Sequence, residues 1–520
     1  MYTLSNRLKM FSIILMVLGA LGIGYGFLTA PKTIQDVEAL EKAEAHHGGG
    51  HEAAGHEATP AHEAHEASAE TTPAAAEAHH DEVATEEAHA EHTTAVVTDT
   101  AHAEHAAATD TLAVAHAAEV AAPAHHKVAE KHETAVDAHA EHQEHLEHVL
   151  HQLQNKPWAA LYVACIFFLL ITMGVLAFYG IQWVAQAGWS PVLFRVMEGI
   201  TAYLPVGSVI FFIFLLICGL DLFHSNHLFP WMVEGITDPK SEHYDALVAG
   251  KSGYLNFGFW IIRAAVFLAG WNLYRFFARK TSLKQDEAPA GDNFNYKKLF
   301  KGSAGFLVFF IVSESIMSWD WIMSLDPHWF STLFGWYVFA SFFVSGITTI
   351  CMVTLYLKSK GLLEYVNTSH IHDLAKFMFG ISVFWTYLWF SQFMLIWYAN
   401  IPEEVTYFIT RINDYTVPFW GAVVMNFVFP ILILVNTDFK RVTWILVIAG
   451  SIILCGHYVD FFNMIMPATV GKNWFIGISE VSSVLFFLGL FLLVIFNALT
   501  KAPLLPKGNP FIEESKHFHY

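Results

Sequence analysis

Charge is scarce along most of this chain. Of its 520 residues, 14% are charged, 54% are apolar and 15% are aromatic, and the mean hydropathy is +0.40. A composition this apolar excludes an ordinary soluble domain, and it offers no basic surface for nucleic acid. Cysteine is as sparse: Cys165, Cys218, Cys351 and Cys455 each stand alone inside an apolar stretch. With no CxxC and no CxxCH, the chain has no iron–sulfur or c-type haem motif of its own. Haem b needs axial histidines on facing spans, and only His457 lies convincingly within one. The absence of a Gly-rich loop removes the usual phosphate-binding signature. No covalently bound cofactor and no metal site is expected.

The charge that is present is concentrated. Residues 31–150 hold 25 acidic and 4 basic residues, a balance of −21, so the rest of the chain sums to +2. This segment is Ala/His/Glu-rich low complexity with 20 histidines. It has too little apolar surface to bury, which predicts a disordered acidic linker over 31–155. Its last part, about 121–154, has the Ala, Glu and Gln content of a polar helix. The histidines read as a solvated tether whose charge changes below about pH 6.5, ahead of a metal-buffering segment.

Apolar runs dominate elsewhere. Residues 10–29, behind Arg7 and Lys9, are long enough for a membrane anchor and long for a signal-peptide core. An uncleaved anchor over 1–30 is expected. Further candidate spans are 158–184, 192–220, 254–277, 303–323, 331–357, 373–398, 416–436, 442–464 and 476–498. Ten helices result, with a helical membrane domain over 156–500 and a tail at 501–520. If the N-terminus is inside, inner segments collect 18 Lys and Arg against 9 outside, with Arg263 in a span. The positive-inside rule then puts both termini in the cytoplasm and the His-rich linker in the periplasm.

A short internal repeat is visible. WDWIMSLDP from Trp319 matches VDFFNMIMP from Val459, so Asp320–Pro327 and Asp460–Pro467 share a spacing. Both stretches end inside-to-outside helices four spans apart. This predicts two parallel four-helix bundles, spans two to five and six to nine, flanked by spans one and ten. Membrane proteins often place sites at or within such repeats.

Ionisable residues deep in the hydrocarbon layer are costly and mark candidate function. Glu314 falls near the centre of span five and Arg263 near the centre of span four, so an Arg263–Glu314 ion pair is predicted. Glu198, early in span three, either extends a polar path from the inner face or reaches back to the headgroups. A second group gathers at the outer helix ends: Asp221 and His224, Asp320, Asp326 and His328, and His457 with Asp460. His457 and Asp460 share a helix face, and a carboxylate beside an imidazole favours a proton acceptor near neutral pH. Asp326, before Pro327, reads better as a local turn residue.

SWDWIMSLDPHWFSTLFGWY, SQFMLIWYANIPEE and GHYVDFFNMIMPATVG, in that order, resemble the NrfD/polysulfide-reductase-type membrane subunits of alternative complex III. That family is a bacterial quinol:cytochrome c oxidoreductase, and the similarity covers roughly residues 156–500. The N-terminal anchor and His/Glu-rich linker are most like the second such subunit. The resemblance implies two four-helix bundles with extra helices and no redox cofactor in this subunit. Electrons from quinol or menaquinol would pass to an iron–sulfur subunit and to multihaem and monohaem cytochrome c subunits, beside a paralogous membrane subunit. It implies interfacial acids and a histidine at Asp320, His457 and Asp460, and a location in the bacterial inner membrane. Three readings follow, in this order: a quinol-accessible or proton-conducting subunit, a structural scaffold of that complex, and a stand-alone secondary transporter.

Overall fold

A run of apolar side chains in lipid must satisfy its backbone groups internally, and the helix does this within one segment. In a computed structural model, which describes residues 2–48, 126–223 and 227–519, the chain is helical, with no strand among the described residues. It divides into two compact units, Met1–Lys42 with Ala140–Tyr520, and Ala43–His139. The described parts of the second unit, 43–48 and 126–139, are helical.

The helices are α1 (Asn6–Thr29), α2 (Ile34–Gly48), α3 (His126–Val184), α4 (Phe194–Ile200), α5 (Tyr203–Gly219), α6 (Ala246–Gly250) and α7 (Phe257–Asp286). They continue as α8 (Phe294–Trp321), α9 (Phe334–Ser359), α10 (Thr368–Ala399), α11 (Pro402–Asn413), α12 (Thr416–Val423) and α13 (Phe429–Leu434). The last are α14 (Thr443–Val470), α15 (Ile478–Leu499) and α16 (Ile512–Lys516). Among the described residues, ten stretches are long and apolar enough to cross a membrane. The third span combines α4 and α5, and the eighth combines α12 and α13 through a π-helical turn at Val424–Val428. The ends of the spans level with the end of α1 are the linker side, and the opposite ends are the far side.

Two four-helix bundles result. In the first, the α3 residue Tyr162 packs on Phe211 of α5, its hydroxyl donates to the Trp321 carbonyl of α8 at 2.6 Å, and α7 lies along α8. In the second, α9 lies against α10 and α14, with the broken eighth span beside them. The second and sixth spans form the centre: 94% and 89% of their most apolar windows are buried. They meet backbone to backbone. A Cβ on Gly346 would sit 2.8 Å from the Gly174 carbonyl carbon, and one on Gly174 would sit 2.5 Å from the Phe342 oxygen. Small residues allow such approach between membrane helices. α1 packs against α15, again through glycines, with Gly19 against the Phe486 backbone. Apolar side chains such as Leu273, Val308 and Tyr387 point outward and stay exposed, as a lipid-facing surface requires.

Three expectations need correction. The polar helix foreseen over 121–154 is described from His126 and belongs to the same helix as the second span, α3. Residues 34–48 of the linker are helical. The disorder foreseen for the linker falls largely on residues 49–125, outside the described residues. The fourth span, foreseen at 254–277, occupies Phe257–Asp286, and the fifth, foreseen at 303–323, starts at Phe294. Both extend farther toward the far side because amphipathic turns rich in Lys and Arg continue the helices beyond the apolar core. These shifts change the depth of every ionisable residue they carry.

Candidate functional site

Arg263 lies only six residues into α7, not at its middle, and Asp320 lies one residue before the end of α8. Helices seven and eight run antiparallel, so these two ends meet on the linker side. Arg263 Nε donates to Asp320 Oδ2 at 2.6 Å and its Nη2 donates to Oδ1 at 2.9 Å. This two-pronged geometry is the strong form of an arginine–carboxylate pair. The guanidinium also stacks on Tyr254 and Phe259. Asp320 is completely buried, and its carbonyl accepts from Trp260 Nε1 and the Ser324 hydroxyl. The foreseen Arg263–Glu314 pair is therefore wrong. Glu314 lies six residues, or about 9 Å, deeper along α8. It is 2% exposed; Oε1 accepts from Ser315 Oγ at 2.8 Å, while Oε2 has no hydrogen-bond partner.

Glu198 is buried near the far-side end of the third span. Burial in α4 sets it among Arg195, Arg279 and the Tyr179 hydroxyl. Arg195 also bonds Asp286, whose Oδ1 accepts from the backbone N–H groups of Lys507 and Gly508. This cluster ties the far-side ends of the third and fourth spans to the C-terminal segment.

The linker-side loops hold the weaker candidates. His328 is half exposed, and its Nε2 lies 2.5 Å from Asp245 Oδ2. Asp245 caps α6 by accepting from Leu247 and Val248 N–H. Those backbone donors, Val248 foremost, and then His328 hold its carboxyl below the usual range. Asp326 accepts from His328 N–H, the turn role expected of it. Asp221 is exposed just past α5, in a left-handed conformation (φ 45°). His224 lies outside the described residues.

His227 follows. Its N–H donates to Asn155 Oδ1 at 2.8 Å, and Asn155 Nδ2 donates to the Thr469 carbonyl, which ties this loop to the end of α14. Burial lowers the His227 pKa below 6.5, the nearby His151 lowers it further, and Asp221 opposes them. An unfolded chain therefore takes up this proton first. Stability from His227 is complete above pH 6.5 and falls as the pH drops through the window beneath it. Thermal unfolding of the solubilised protein between pH 7.5 and 5 should show this loss, and His227→Gln should flatten it.

His457 and Asp460 do come together, and they form the centre of a built site. α14 places them one turn apart on a face turned into the second bundle, and both are buried. Asp460 Oδ1 accepts from the Tyr337 hydroxyl of α9. Its Oδ2 accepts from Ser341 Oγ and from Trp385 Nε1 of α10, each at 2.9 Å. Ser341 Oγ also lies 2.9 Å from His457 Nδ1. A serine hydroxyl has one proton, and it goes to Asp460. His457 therefore donates Nδ1–H to Ser341, a tautomer assigned from this network. Its Nε2 is left as a buried acceptor with no hydrogen-bond partner.

α11 covers this centre from the linker side. Pro402 at its start, Glu403 and Glu404 in its first turn and Arg411 in its last match the helix dipole. The helix turns Tyr407, Phe408 and Arg411 inward. Arg411 donates to the carbonyls of Tyr407, Asn463 and Met464 and lies over the Tyr407 ring. Trp329 stacks on the same ring at 4.2 Å. Burial, with Asp460 nearby, pushes the Tyr407 phenol up, and Arg411 opposes this. On one side of Tyr407 and Arg411 is a cavity of about 10 Å³ against Tyr337, Trp385, Gln392 and Asp460. That is room for about one water. On the other side a cavity of about 80 Å³ is lined by Asp326, Trp329, Thr406 and Pro467. Neither takes a ring headgroup in this conformation.

The chain thus separates the foreseen outer-end residues into distinct places: Asp320 with Arg263, His328 with Asp245, and His457 with Asp460. Sequence reasoning missed Tyr337, Ser341, Trp385, Gln392 and Arg411. Two signals pointed to them: the Ser341/Ser345/Thr349 spacing along one face of α9, and the helical pattern of PEEVTYFITRIN between two candidate spans. Among the described residues no group of three or more His, Cys, Asp or Glu could hold a metal. No protein-family model matches the chain, and neither does any curated protein.

Proposed function

We propose that this multi-pass membrane protein is a proton-handling subunit of a respiratory quinol:cytochrome c oxidoreductase, and that the Asp460 centre does the handling. One observation carries the reading: a continuous hydrogen-bonded line from His457 through Ser341 to Asp460, with a bare imidazole nitrogen at one end and small polar cavities at the other. A proton taken up at His457 Nε2 makes the ring an imidazolium, which can give up the Nδ1 proton it already donates to Ser341 Oγ. Ser341 Oγ accepts that proton as its own hydroxyl proton moves to Asp460 Oδ2, and water beyond Arg411 can take the proton from Asp460 to the linker side. The Lys and Arg bias makes that side periplasmic. Quinol oxidation releases two protons and two electrons; this chain's share is a proton, and the electrons go to iron–sulfur and haem-c partners. The motif resemblance supplies the quinol context, and the tightness of the Asp460 cavity favours proton transfer over ring binding.

In the purified complex, Asp460→Asn should lower quinol-dependent cytochrome c reduction by about a hundredfold, the lower end of what a positioned acid–base group contributes. Proton release should fall with it, and His457→Gln should do the same. Unchanged turnover and proton stoichiometry in both variants would remove the reading. A second reading, a structural scaffold of the same complex, is favoured by one feature: Arg263–Asp320 in the first bundle is fully paired and lines none of the cavities described here. The two readings divide between the bundles.

A further inference from the structure

Where α1 leaves the apolar layer and α3 enters it, a cavity of about 350 Å³ opens among α1, α2, α3 and α15. Its walls are mostly apolar, with Leu40, Leu153 and Phe475 among them, and its polar groups converge from two helices. Glu480, in the first turn of α15, is 2% exposed. Its Oε2 accepts from Gly477 N–H at 2.9 Å, which caps the helix, whereas Oε1 is buried without a hydrogen-bond partner. Lys156 of α3 is 8% exposed; its ammonium lies over the Phe475 ring and close enough to Glu480 to act on its charge. At the mouth, Tyr25, Leu40, Phe475 and Ile478 stay exposed. An apolar pocket of this size with few convergent polar groups is the usual form of a small-molecule site.

The charge pattern restricts the ligand. One cation and one anion in the same apolar cavity cancel each other, so a ligand of net charge would leave one of them opposed. A zwitterion satisfies both. The depth, at the ends of two spans, is where lipid headgroups lie, and the exposed apolar mouth gives acyl chains a surface to follow. We propose that this cavity binds the headgroup of a zwitterionic aminophospholipid, its primary ammonium donating to Glu480 Oε1 and its phosphate accepting from Lys156 Nζ. A quaternary ammonium has no N–H to donate, so a choline headgroup is a poor substitute. The site stands apart from the Asp460 centre, and nothing in it depends on the function proposed there.

Native mass spectrometry of the full-length protein in detergent would test this, with phosphatidylethanolamine, phosphatidylcholine and phosphatidylglycerol of identical short acyl chains titrated in turn. The ethanolamine lipid should bind about tenfold tighter than the choline lipid, the effect of one hydrogen bond to a charged group. Glu480→Gln should erase that preference. Its amide oxygen still accepts from Gly477 N–H, so the cap of α15 is kept. Lys156→Gln should weaken all three lipids. Equal binding of the ethanolamine and choline lipids, tighter binding of the glycerol lipid, or an intact preference in Glu480→Gln would each overturn the proposal. So would a short-chain quinol that saturates the cavity without competition from the ethanolamine lipid. If Glu480→Gln does not fold, the ranking of lipids by the unaltered chain decides alone.

Discussion

Replacing Arg263 with Met is expected to destabilise the protein by about 3–5 kcal/mol, and adding Asp320→Leu to that variant is expected to restore most of the loss. The first change leaves Asp320 as a completely buried carboxylate with no opposing charge. Attraction in a low-dielectric interior only compensates what desolvation costs, so removing both charges together is nearly neutral. The stacking of Arg263 on Tyr254 and Phe259 adds to the single-variant loss, and the Met side chain keeps part of that contact. Denaturant unfolding in mixed micelles, run as a double-mutant cycle, reads the coupling directly. A single variant as stable as the parent would mean that the pair is wet and that Asp320 is open to a ligand. A double variant worse than Arg263→Met would mean that the carboxylate has another partner.

The outcome bears on what the internal repeat means. Asp320 and Asp460 occupy the same place in matching stretches, although Asp320 lies one residue before the end of α8 and Asp460 ten residues before the end of α14. In the first bundle the neighbouring span presents an arginine, and the acid becomes one half of a lock. In the second the neighbours present a phenol, a hydroxyl, an indole and an imidazole, and the acid becomes the end of a hydrogen-bonded line. A shared position does not give a shared role, because the partners come from other helices.

This is also why the sequence was informative about some features and silent about others. Long apolar runs impose helices on the chain whatever their partners, so ten spans and their pairing in two bundles could be read directly. His457 and Asp460 could be matched because three residues along one helix fix a common face. Arg263 was assigned to Glu314 because depth was judged from the middle of each apolar run. The true helices extend past those runs through Arg279 and Lys284 on one side of the hairpin and Lys297, Lys298 and Lys301 on the other. An offset of six residues then chose the wrong acid. Tyr337 and Trp385 are common residues in spans that nothing local distinguishes, and only packing makes them, with Ser341, donors to Asp460. Arg411 was hidden differently: its helix follows a proline and two glutamates in a stretch that reads as an interfacial loop.

Glu314→Leu is expected to raise stability by about 2–3 kcal/mol, because insertion scales put a carboxyl group near a span centre at roughly that penalty or more. The two side chains are close in volume, so packing changes little. Among the described residues Ser315 donates to the carboxyl, and Oε2 has no hydrogen-bond partner. A group this poorly satisfied costs stability, and its retention needs a reason other than folding. If that reason is to hold a proton between the far side and the Asp460 centre, Glu314→Leu will gain stability and lose proton release in the complex, while Glu314→Asp keeps part of both properties. Unfolding in mixed micelles and proton stoichiometry per electron are the two measurements. A stabilised variant with unchanged stoichiometry would take Glu314 out of any path and confine the proposed proton line to the second bundle. A destabilised variant would mean that Oε2 has a water or lipid partner, which would itself be the start of a polar route.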